Sequence, residues 1–142
     1  MPPPMRPLSG CAKVCNALQV INHLQDCKDD FLTLDRVYLP MNWMQAEGAT
    51  VDMLNADHAS PALRRVLDRC LAETRTLMRE ARHLPGRVKS RRLAMESAAI
   101  CNIADALIEK LAREDPVAGR VQLSKPAYVQ CIVRGAVSGF LS

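Results

Sequence analysis

Hydrophobic positions recur along most of this chain at steps of three and four residues, the spacing that returns to one face of an α-helix. Val14, Leu18, Ile21 and Leu24 open the pattern and predict a first helix over residues 11–30. Leu63, Val66, Leu67, Cys70, Leu71, Leu77, Met78 and Ala81 predict another over residues 61–83. Ser60-Pro61 is its start signal, a cap residue followed by Pro at the first helical position. Val88, Leu93, Met95, Ala99, Ile103, Leu107 and Leu111 predict a third long helix over residues 88–113. Ser124-Lys125-Pro126 opens the last, in which Gly135, Ala136, Ser138 and Gly139 would permit close helix packing. Leu84-Pro85-Gly86 and Asp115-Pro116 read as breaks. Shorter helical pieces are expected over residues 42–47, capped by Asn42 and stopped by Gly48, and over residues 50–55. Residues 31–40 read as an extended connection, because Pro40 restricts Leu39 to β or polyproline geometry. Four prolines make residues 1–10 a non-helical lead-in to one helical domain over residues 11–142. With no strand-like alternation and no repeat period, the fold class is all-α.

Beside the apolar face of the first helix runs a polar stripe. Gln19, Asn22, Asp26 and Asp30 follow one another at spacings of three, four and four, which aligns two amides and two carboxylates. Carboxylates four residues apart repel each other unless something neutralises them. A divalent cation does so, and Mg²⁺ takes one or two carboxylates together with waters and phosphate oxygens. An ordinary solvated helix end is the competing account, since charged runs are commonly just that. Against it, the stripe extends back through uncharged amides, and a helix C-terminus, where Asp29 and Asp30 are expected, disfavours acid.

The run Q-V-I-N-H-L-Q-D-C-K-D-D, followed by L-D-R-V-Y-L-P, resembles the second aspartate-rich motif of the squalene/phytoene synthase family. That motif is typically Q-x-x-N-x-x-R-D-x-x-x-D, then a short insert and R-x-Y-L-P. Gln19, Asn22, Asp26, Asp30, Arg36, Tyr38, Leu39 and Pro40 match it position by position. Gln25 stands where most members carry Arg, and Asp29 where Glu is common. The wording is most similar to the bacterial hopanoid-pathway branch, and the similarity runs from about Cys15 to about Gly139.

The resemblance implies the C-terminal half of a helical isoprenoid-synthase bundle, in which two aspartate-rich helices face each other across Mg²⁺. It makes Asp26 and Asp30 the catalytic metal ligands. Gln19 and Asn22 would orient water or diphosphate, and Arg36 with Tyr38 would face phosphate. The implied substrate is a prenyl diphosphate. Presqualene diphosphate would lose diphosphate with Mg²⁺ assistance and be captured by water, or two farnesyl diphosphates would condense. In the family roughly as much chain again precedes this motif, including a first aspartate-rich motif that these 142 residues lack. The polypeptide by itself is therefore expected to be inactive, or to need a complementing chain.

Composition changes this picture little. A chain that is 49% hydrophobic and 24% charged is of ordinary globular make-up. The net charge of +4 is regional, with much of the basicity between residues 64 and 92. Such a band can meet a diphosphate or the surface of an anionic membrane, so peripheral association with the inner membrane joins the expectations. Nucleic acid is not expected, because Asp68, Glu73 and Glu80 interrupt the band and aromatics do not interleave it. Six cysteines form no C-x-x-C pair, and reduced, mostly buried thiols in a cytoplasmic protein are expected. No apolar run approaches the roughly 20 residues that span a bilayer, and the start has no secretory apolar segment. His23, His58 and His83 read as ordinary residues, with His23 turned to another side of the helix than Asn22. Tyr128 and Phe140 could face a prenyl chain but are more often simple core. The alternative function is a non-catalytic helical interaction module, its stripe turned to solvent or to a partner.

Overall fold

The computed structural model describes residues 10–83 and 89–141. The lead-in up to residue 9 and the Leu84-Pro85-Gly86 break lie outside them. Six α-helices follow in order: α1 Gly10–Gln25, α2 Cys27–Leu34, α3 Met41–Glu47, α4 Pro61–Ala81, α5 Arg91–Arg113 and α6 Lys125–Leu141. A 3-10 turn, Val51–Asn55, lies between α3 and α4. All-α is therefore the observed class.

The start signals act as their chemistry dictates. Ser60 Oγ accepts the Leu63 N–H at 3.2 Å, and Ser90 Oγ accepts that of Leu93 at 3.4 Å, each relieving an orphan donor in a first helical turn. Gly48 ends α3 with a φ of 73°, a left-handed conformation that suits glycine. The cap of α3 is Pro40 rather than Asn42, which falls inside its first turn.

The first helix departs from expectation. It bends at Asp26, with φ −104° and ψ 11°, and resumes as α2 through Leu34. The ladder persists across the bend, Asp26 N–H donating to Asn22 O at 3.0 Å and Asp30 N–H to Asp26 O at 2.8 Å. So residues 31–34, expected to be extended, are helical, and Thr33 Oγ1 donates back to Asp29 O at 2.6 Å. Asp29 and Asp30 consequently occupy the first turn of α2. There the macrodipole favours acid, the reverse of the expected C-terminal position. Asp35, at φ 51°, stops α2, and both its N–H and that of Arg36 donate to Asp30 O; a short polar side chain tolerates this left-handed state.

The core gathers between α1, α4 and α5, where Ile21, Leu63, Val66, Leu67, Met78 and Ile108 are almost fully buried. Gln25, at the end of α1, is also buried, and its Nε2 donates to Val121 O at 2.8 Å. That bond ties the bend to the segment leading into α6. Three arginines of α4 and the Arg82 that caps it form ion pairs: Arg64 with Asp68, Arg65 with Glu47, Arg75 with Glu109 and Arg82 with Asp105. The basic band is thus largely met by acids of the same fold.

Candidate functional site

Helix α1 carries Gln19 and Asn22 on an exposed face, and the bend below it carries Asp26 and Asp30, both partly exposed. Asp26 is paired: Arg120 Nε lies 3.3 Å from its Oδ1. Arg36 and Tyr38, both exposed, follow α2. Arg36 Nη1 donates to the Tyr38 hydroxyl at 3.5 Å, the outer limit of such a bond. That contact, and behind it the negative charge of Asp30, raises the pKa of the guanidinium above its ordinary value. The fold therefore draws Asp30, Arg36 and Tyr38 toward one another and sets Asp26 against Arg120, while Gln19 and Asn22 stay a turn or more up α1.

His23, on another side of α1 than the exposed Asn22, turns toward the Tyr38 end of this neighbourhood. Its ring lies on that of Tyr38, with centroids 3.7 Å apart and planes 12° from parallel. The signal was present in the spacing, four residues after Gln19 and three before Asp26. Below the stack, α1, α3 and α4 enclose a cavity of about 160 Å³ whose lining includes Val20, His23, Tyr38, Trp43 and Leu77. This is smaller than the roughly 300–1,000 Å³ of small-molecule pockets, so it suits one short apolar group. A second hollow, about 210 Å³, lies on the other side of the bend between Lys28, Asp29 and the 116–120 segment. Gln19, Asn22, Asp26 and Asp30 line neither hollow.

Among the described residues no three His, Cys, Asp or Glu side chains gather as a metal site. Two carboxylates one turn apart and open to water nonetheless fit Mg²⁺, which completes its shell with water and phosphate oxygens. The thiols are a poor alternative. Burial raises the pKa of Cys27 and of Cys70 to about 11, and that of Cys101 upward as well, keeping all three protonated. Cys11 and Cys15 are exposed, so burial is less general among the thiols than expected.

A helical chain with this stripe and an R-x-Y-L-P segment after it defines a class. The family model for squalene/phytoene synthase matches residues 6–127, and the chain belongs to that family. It is 38% identical over 112 residues to a hydroxysqualene synthase of Zymomonas mobilis, covering 79% of this chain and 38% of that protein. It is 39% identical over 116 residues to a hydroxysqualene synthase of Rhodopseudomonas palustris, covering 82% of this chain and 40% of that protein. A phytoene synthase of Thermus thermophilus is 33% identical over 104 residues, or 68% of this chain and 36% of that protein. The chain thus spans about two fifths of the length of the curated relatives it matches. No solved structure gives a significant match.

Proposed function

We propose that this chain supplies one aspartate-rich wall of a prenyl diphosphate-processing site in squalene and hopanoid biosynthesis, acting on presqualene diphosphate to give hydroxysqualene. The observation that carries this reading is the complete run Gln19, Asn22, Asp26, Asp30 and Arg36-x-Tyr38-Leu39-Pro40 in a chain so similar to two hydroxysqualene synthases. Asp26 and Asp30 would hold Mg²⁺, which would supply positive charge for a diphosphate leaving group. Arg36, a permanent cation beside Tyr38, steadies a phosphate oxygen. Gln19 and Asn22, facing solvent on α1, orient water or diphosphate. Arg120 answers the charge of Asp26 and adds a second guanidinium, besides that of Arg36, for phosphate oxygens. This is a role the sequence did not single out. Where most members carry Arg, Gln25 is instead buried and bonded to Val121 O, and the guanidinium beside Asp26 is that of Arg120.

Asp26 and Asp30 are the single pair at D-x-x-x-D spacing in these 142 residues. A two-sided metal site needs another pair, so the 142-residue polypeptide is expected to release no diphosphate alone. The test is a chimera joining residues 10–141 to the portion of the Zymomonas mobilis relative that this chain does not match. It should turn over presqualene diphosphate with Mg²⁺, and Asp26→Ala or Asp30→Ala should cost about 10³-fold in kcat, the scale on which preorganised charge contributes. A folded but inactive chimera would sink the proposal. Condensation of farnesyl diphosphate by the same chimera would instead place the chain with the family's condensing members. The openness of the stripe to solvent favours one second reading, a non-catalytic interaction module. On that reading Mg²⁺ and diphosphate leave the protein's stability unchanged.

A further inference from the structure

Helix α6 carries its large side chains on the outside. Against α5 it sets small ones: Gly135 and Gly139 are buried, and a Cβ on either would overlap the backbone of Ala99 or of Met95. Val129, Val133, Val137 and Phe140 are all more than half exposed, and Tyr128 and Ile132 nearly so. These positions cover about half of the helix circumference at 100° per residue. That is broader than the narrow seam presented to a partner helix. All but the first residues of α6 also lie beyond residue 127, where the family match ends.

The charged residues of α6 itself, Lys125 and Arg134, have one sign. After Asp115 the sequence contains no acidic residue, while Arg120, Lys125 and Arg134 are basic. At the far end of α6, Arg91 of α5 lies with its guanidinium 4.7 Å from the centre of the Phe140 ring, a cation–π contact that sets a positive charge at the edge of the apolar face. Among the described residues no helix is long and apolar enough to cross a membrane. A broad apolar arc on a helix that carries basic residues and no acid of its own is the pattern of a helix lying in the plane of a bilayer surface.

We propose that the outer face of α6 docks this protein on an anionic lipid surface, with Val129, Val133, Val137 and Phe140 entering the headgroup boundary and Lys125, Arg134 and Arg91 meeting lipid phosphates. The proposal is independent of the metal site. Vesicle flotation of the 142-residue protein tests it. The protein should rise with phosphatidylcholine vesicles containing phosphatidylglycerol, much less with phosphatidylcholine alone, and should be released by salt. Val133→Asp with Val137→Asp should abolish flotation without lowering the melting temperature. Lys125→Ala with Arg134→Ala should weaken it about thirtyfold, two surface charges' worth. Asp26→Ala with Asp30→Ala should float like the parent, separating this claim from the catalytic one. Equal absence from both kinds of vesicle would overturn the proposal. So would a dimer in solution that the two Asp substitutions split, since a second copy would then own the face.

Discussion

The two halves of this molecule bury their helices by opposite means. Around α1 and α4 large side chains interlock, and Ile21, Leu24, Leu63, Leu67, Leu71 and Met78 are each at most 2% exposed. Between α5 and α6 the backbones themselves approach, with Gly135 and Gly139 at the contact and the valines turned out. Apolar area removed from water stabilises by about 25 cal/mol per Å², so the large buried side chains of α1 and α4 contribute more to the fold than the exposed valines of α6. The candidate metal-binding residues sit on the first half, at the bend between α1 and α2.

This contrast can be broken by substitution. Leu67→Ala, at a site 1% exposed, should cost about 2–5 kcal/mol in chemical denaturation, transfer and cavity costs together. An effect below 1 kcal/mol would mean that α4 is not the keystone. Next in size is alkaline pH. The thiols of Cys27 and Cys70 have an ordinary value of 9.0 but lose their protons at about 11 in the fold. Between those values the unfolded chain binds fewer protons than the folded one, so stability falls as pH rises. The loss is about 2–3 kcal/mol per thiol by pH 11, and Cys27→Ala with Cys70→Ala should remove that part of the slope. Gly135→Ala should cost about 1–3 kcal/mol through overpacking against Ala99, with α5 and α6 losing amide-exchange protection ahead of α1 and α4.

Much of the fold was legible because its signals are local. Ser60-Pro61 caps α4 as read, Gly48 stops α3, and the apolar steps of α4 and α5 are the buried faces. The bend at Asp26 was not legible, since the contact beside it, Gln25 with Val121, spans the fold and leaves no local signal. Nor was the helical run through Leu34, because an Asp in the left-handed region at residue 35 stops α2 later than residue type alone would suggest. In the candidate site, the stripe itself could be read from its spacing. Arg120 could not, being remote in sequence from Asp26. Tyr128 and Phe140, read as core, are exposed, because the small residues of α6 rather than the large ones pack against α5.

The central claim, that the acid edge below α1 holds magnesium with diphosphate, is tested most directly by the thermal unfolding of the 142-residue protein with Mg²⁺ and inorganic pyrophosphate. At ligand 100 times its Kd the protein should gain about 2.7 kcal/mol, and Asp26→Ala with Asp30→Ala should gain nothing. An unchanged melting temperature in the parent, or an equal rise in the double variant, would contradict the account.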